Sequence, residues 1–119
     1  MAVISLRIDL GEERRFGPGK ARLLELIRDT GSISAAGRAL GMSYRRAWLL
    51  TDELNHLFGH RLVEPQHGGA KGGGAQLTAA GAEALEAYRR IETAAEAALA
   101  KEKTLFRPAR KKAGRVKAG

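Results

Sequence analysis

The sequence predicts a mainly α chain with a small β-ribbon: a winged helix-turn-helix followed by a long C-terminal dimerisation helix. Three observations predict it. The stretch GSISAAGRALGMSYRRAW, Gly31 to Trp48, changes helical phase at Gly41, so a single helix cannot bury its apolar positions. Two short extended stretches flank a glycine-rich loop, HGGAKGGGA, at residues 67–75. Beyond them, an apolar stripe in steps of four and three runs along one helix from about Ala79 to Lys103.

Taken in order, Ile4, Leu6, Ile8 and Leu10 alternate with Ser5, Arg7 and Asp9, which predicts a half-buried strand. The charged stretch GEERRFGPG is a connection. From Gly19 a helix buries Leu23, Leu24, Leu26 and Ile27 and stops at Gly31. Ser32 or Ser34 caps a short helix from about Ala35 to Leu40, because a hydroxyl there accepts an orphan N–H. Gly41 supplies the freedom for a tight turn. Ser43 caps a longer helix to about Phe58, with Ala47, Leu50, Thr51, Leu54, Leu57 and Phe58 as its buried stripe. HRLVEPQ is a strand ended by Pro65, and QLT resumes extended structure after the glycine loop. Thr78 caps the last helix, whose stripe of Ala84, Leu85, Tyr88, Ile91, Ala95 and Leu99 is expected to pair with a second copy. The expected organisation is a DNA-binding domain over 1–78, a dimerisation helix over 79–103 and a disordered basic tail over 104–119.

Charge is unevenly spread. The net charge is +8, yet residues 101–119 hold eight Lys/Arg against one Glu, and the remaining hundred residues are nearly balanced. A basic tail of this kind fits nucleic acid. With no cysteine, disulfides and thiolate metal sites are excluded. No apolar run approaches the ~20 residues that span a bilayer, and MAVISLRIDL does not read as a signal peptide, so a cytoplasmic, nucleoid-associated location with no membrane partner is expected.

Two short helices at a steep angle around a glycine turn form a helix-turn-helix, whose second helix enters the major groove of double-stranded DNA by its N-terminus. Leu40 and Met42 bracket the turn, and Gly37 gives room for a close crossing. The outward residues of the second helix are Ser43, Tyr44, Arg45 and Leu49, with Arg46 at the flank. Arginine pairs bidentately with guanine, whereas serine and tyrosine reach phosphates. In the ribbon loop, Gly69 and Gly72 allow close backbone approach and Lys71 supplies charge, as in a wing. A solvated helical hairpin is the plainer alternative.

GSISAAGRALGMSYRRAW, GGAKGGGAQLT and AGAEALEAYRRIE together resemble the N-terminal DNA-binding domain of the ModE molybdate-responsive transcription regulators, itself similar to the winged helix of LysR-type regulators. The resemblance covers most of Val3 to Glu92. It implies that Ser43, Tyr44 and Arg45 begin the recognition helix, that Gly68 to Gly74 form the wing and that the last helix makes a homodimer. Members of that family carry further C-terminal domains that bind molybdate. Only sixteen residues follow Lys103 here, so molybdate binding by this chain is not expected, nor is any cofactor.

Other chemistries fit less well. Lys71 precedes Gly72 rather than Ser or Thr, and GPGKA at 17–21 fails in the same way, which argues against a phosphate-cradling nucleotide enzyme. His56 and His60, with Glu64 or His67, make a weak metal pattern without a defined third ligand. Trp48 is expected to pack partly into the core. The function expected is sequence-specific DNA binding by a dimeric regulator, not an enzyme. The alternative is a non-specific nucleoid protein driven by its tail.

Overall fold

Glycine and serine set the boundaries of the central helices. In the computed structural model, which describes residues 2–66 and 74–109, the elements are β1 (Ile8–Asp9), β2 (Arg15–Phe16), α1 (Pro18–Thr30), α2 (Ile33–Ala39), α3 (Tyr44–Leu54), β3 (Val63–Gln66), β4 (Gly74–Leu77) and α4 (Ala79–Ala100). Gly31 ends α1 in a left-handed conformation at φ 72°, with its N–H on the Ile27 carbonyl. The Ser32 hydroxyl accepts from Ala35 N at 3.0 Å, so α2 starts about two residues earlier than the sequence suggests. Gly41, at φ 70°, makes the turn, and Ser43 Oγ accepts from Arg46 N at 3.1 Å to start α3.

The core joins α1 to everything else. Ala21, Leu23, Leu24 and Ile27 of α1 are fully enclosed by Ala36 of α2, Ala47 and Leu54 of α3, Leu62, Val63, Leu85 and Tyr88. At the α2–α3 crossing, a Cβ on Gly37 would stand 2.7 Å from the Ala47 Cβ, so the helices meet where glycine faces alanine. On α4, a Cβ on Gly81 would fall 2.1 Å from the Leu62 carbonyl oxygen, which fixes how closely α4 seats on the ribbon.

β3 and β4 pair antiparallel, Val63 with Leu77 through Gln66 with Gly74. Pro65 lies inside β3 rather than ending it. Ala75 N–H points away from β3 to the Gly31 carbonyl at 2.9 Å, so the Pro65–Ala75 pair is non-hydrogen-bonded and the absent proline N–H goes unmissed.

The N-terminal segment keeps its alternation, with Leu6 and Ile8 half-buried and Arg7 and Asp9 exposed. Ladder pairing is confined to Ile8–Phe16 and Asp9–Arg15. The connection expected to be irregular therefore supplies β2, and Phe16 is a buried core residue, edge-on to Tyr88 at 5.1 Å.

Three further expectations are corrected. α3 ends at Leu54, because Asn55 Oδ1 turns out of the helix to accept from Leu62 N at 2.8 Å and Val63 N at 2.9 Å. Phe58 thus falls off the α3 stripe and lies 40% exposed against Phe16. α4 closes at Ala100 rather than about Lys103, and hydrogen-bonded turns carry the chain on to Phe106, whose N–H donates to Glu102 O.

Candidate nucleic-acid interface

The inner side of α3 buries Ala47, Thr51 and Leu54. With 3.6 residues per turn, that leaves Arg45, Leu49 and Asp52 at the centre of the outer side, Tyr44 and Trp48 on one flank and Arg46 and Glu53 on the other. Ser43 sits at the start with its hydroxyl committed to the cap. Tyr44, Arg45, Arg46 and Leu49 are all exposed, so the expected recognition residues share one end of one helix.

Ion pairs engage some of the described cations and leave others free of an acidic partner. Arg7 and Arg15 meet Asp9, Lys20 meets Glu53, Arg28 meets Asp29, and Arg89 meets Glu25 and Glu92. Among the described residues, Arg45 and Arg46 have no acidic partner. They place two positive charges in the first turn of α3, with Asp52 and Glu53 two turns on.

Trp48 departs from expectation. It is 46% exposed, not packed into the core, and meets the Tyr44 ring edge-on at 6.1 Å. The tight Gly37–Ala47 crossing occupies the inner side, and Trp48 falls outside that stripe. Its indole N–H has no acceptor among the described residues. It lines a small cleft with Asn55, His56 and Arg61. Sequence reasoning passed over Arg61, whose carbonyl accepts from the Thr78 hydroxyl at 2.7 Å and whose exposed side chain lies between α3 and the ribbon.

The ribbon is anchored to this helix. Asn55 ties β3 to the end of α3, and Ala75 ties β4 to the turn before α2. The expected wing contacts Gly69, Lys71 and Gly72 lie outside the described residues, as does His67. His56 Nδ1 donates to the Asp52 carbonyl at 2.7 Å, and among the described residues no three His, Asp or Glu side chains are placed to hold a metal. No described helix is long and apolar enough to cross a membrane.

The expected dimer stripe divides. Leu85 and Tyr88 are buried in the chain's own core, and Tyr88 donates its hydroxyl to the Leu6 carbonyl at 2.7 Å, so neither is available to a second copy. They share a stripe with Ile91 in sequence, but Leu6 and, from β2, Phe16 close over Tyr88, whereas Val3 and Ile4 run beside the far end of α4 and leave a groove open there. Ala84 is half-buried beside that core. Ile91 is 47% exposed, and Ala95 and Leu99 are half-exposed farther out. Leu99 and Phe106 line an open apolar groove of about 690 Å³ with Val3 and Ile4.

Where α4 leaves the body, charge braces it. Arg22 donates to Glu25 Oε1 at 2.6 Å, and Arg89 bridges Glu25 and Glu92 at 3.2 and 2.6 Å. The Arg22 hydrogen bond holds the Glu25 carboxyl below its usual range, with Arg89 adding to the effect and burial opposing it. Burial pushes the Tyr88 hydroxyl up, and nearby Glu92 adds to that.

Residues 19–82 match the family described as bacterial regulatory helix-turn-helix protein, lysR family. The chain is 45% identical over 78 residues to the molybdenum-pterin-binding protein MopB of Rhodobacter capsulatus, covering 66% of this chain and 29% of that one. It is 39% identical over 87 residues to the DNA-binding transcriptional dual regulator ModE of Escherichia coli K12, covering 73% and 33%. The chain thus spans about a third of the length of these curated relatives. Its fold is similar to the DNA-binding domain of CbnR solved in complex with DNA, with TM-score 0.58 and 26% identity over 75% of this chain and 97% of that one.

Proposed function

The chain belongs to the lysR family of bacterial regulatory helix-turn-helix proteins, and on that premise we propose that it acts as a dimeric, sequence-specific DNA-binding transcription regulator. α3 enters the major groove by its N-terminus, Arg45 reads a base edge, and Ser43, Tyr44 and Arg46 meet the adjoining backbone. Gly69, Lys71 and Gly72 of the ribbon loop contact phosphates beside it. The observation that carries this reading is the pair of arginines left without acidic partners at the capped start of α3. The DNA-binding named for the Escherichia coli relative and the DNA complex of the CbnR domain support it.

Dimerisation rests on the distal half of α4, where Ile91 is exposed, Ala95 and Leu99 are half-exposed and the groove beside Val3 and Phe106 extends the apolar surface. The basic C-terminal residues add backbone contacts without base contacts.

Selection of binding sites from random duplex DNA tests the proposal. A recurrent motif in two half-sites is expected, bound more tightly than competitor DNA at the same salt. Binding with no sequence preference and a steep salt dependence would replace it with the architectural reading, in which the tail supplies the affinity.

A further inference from the structure

Three large apolar side chains stand uncovered on the recognition helix. Tyr44 is 64% exposed, Trp48 46% and Leu49 48%. The body of the protein gains nothing from them there, since the inner stripe of α3 is already filled by Ala47, Thr51 and Leu54. A second copy is the poorer cover: against Arg45 and Arg46, which have no acidic partner among the described residues, the outer side of α3 offers only Asp52 as an acid not already ion-paired with a lysine or arginine, since Glu53 meets Lys20.

A DNA groove fits better, and the chemistry of that groove narrows the choice. Base edges in the major groove are almost entirely hydrogen-bonding groups. The one apolar group they present is the C5-methyl of thymine. From these observations, and resting on the regulator reading above, we infer that Leu49 and Trp48 are specificity-determining residues that contact thymine methyl groups. Tyr44 acts through Trp48 as a positioning residue, its ring edge-on at 6.1 Å. Arg45 and Leu49 occupy neighbouring places on the outer side of α3, one turn apart, or about 6 Å along the axis. Bases in one strand are about 3.4 Å apart. The thymine under Leu49 therefore falls one or two base steps from the guanine paired with Arg45.

The test uses the full chain and the tightest duplex from the selection. Each thymine is replaced in turn by deoxyuridine, which keeps every hydrogen-bonding group and removes only the methyl. At one or two positions within two base pairs of the Arg45-dependent guanine, affinity is expected to fall about fourfold per methyl, the equivalent of one buried CH₂. In Leu49→Ala and Trp48→Ala the uracil penalty at those positions is expected to disappear while the guanine preference stays. Tyr44→Phe, which keeps the ring, is expected to retain the penalty. A clear selected motif whose thymines all tolerate uracil in the wild-type protein overturns this inference and leaves the regulator reading standing. Failure to select any motif overturns both. The uracil series on the wild-type protein decides the matter even where a variant folds poorly.

Discussion

α3 and α4 both leave apolar side chains in solvent, yet the charges around them differ. On α3, Tyr44, Trp48 and Leu49 lie beside Arg45 and Arg46, which have no acidic partner among the described residues. On α4, Ile91, Ala95 and Leu99 follow a stretch in which Arg89 is already matched to Glu25 and Glu92. Apolar surface mixed with unmatched cations suits a polyanion with a few apolar groups. Beside the α4 surface both signs are present, Arg90 with Glu92 and Glu96, which suits another protein face able to match them. Exposure alone does not distinguish the two; the balance of sign among the neighbouring charges does.

The largest effect expected is on the α4 side. Ile91→Asp with Leu99→Asp places four carboxylates across a two-fold contact and removes about 1.5–3 kcal/mol of apolar burial per side chain. Sedimentation is expected to give monomers with unchanged helix content, and half-site DNA affinity without the gain from two half-sites. A double variant that still sediments as a dimer breaks the comparison, since α4 would then owe its exposed residues to something other than pairing.

On the α3 side, Arg45→Ala is expected to cost about 1–3 kcal/mol at a selected site and to relax preference at one base pair. Lys71→Ala is expected instead to weaken all sequences alike. Equal, sequence-blind losses from both would remove Arg45 from the list of base readers.

Tyr88 marks where α4 passes from covered to uncovered, and it sharpens the contrast within one helix. Tyr88→Phe loses the hydrogen bond to Leu6, worth about 1 kcal/mol, and is expected to lower the melting temperature by a few degrees without changing assembly or DNA binding. Because burial raises the Tyr88 ionisation, its contribution is full below the ordinary tyrosine range and is lost as pH rises through the folded value. Melting curves at increasing alkaline pH should therefore fall more steeply for the wild type than for the phenylalanine variant.

The smallest effect concerns the brace. Glu25 ionises below its usual range, so its contribution is present at neutral pH and is lost as pH falls through the folded value. Glu25→Gln is expected to cost under about 1 kcal/mol at pH 7, in keeping with partly exposed pairs, and to flatten the acid side of the stability profile. An unchanged acid profile would mean that the brace is ornamental.

Much of the helix-turn-helix half was legible because backbone chemistry wrote it locally. Gly31 and Gly41 stand where left-handed φ is needed, and Ser32, Ser43 and Thr78 stand where a hydroxyl closes a helix start. What could not be read depended on tertiary cover. Periodicity places Tyr88 and Ile91 on one stripe, but only the path of the N-terminal segment decides that Tyr88 is enclosed and Ile91 is not. Trp48 looked like a core residue by type, and the Gly37–Ala47 crossing left no room for it. Phe58 fitted the α3 pattern until Asn55 ended the helix to hold β3. Arg61 fell inside the stretch read as a strand, where nothing in the pattern singled it out.

The bond from Tyr88 to Leu6 joins residues 82 positions apart, and it sets an order of events during biosynthesis. At translation rates of about 5–20 residues per second, the N-terminal segment waits roughly 4–16 s for its partner to be made. During that wait Ile4, Leu6 and Ile8 form a nascent β-prone stretch with an uncovered apolar side, able to pair with any other chain nearby. Arg7 and Asp9, exposed on the opposite side in the finished fold, are the kind of charges that discourage such pairing. Their first service is thus rendered before the rest of the protein exists.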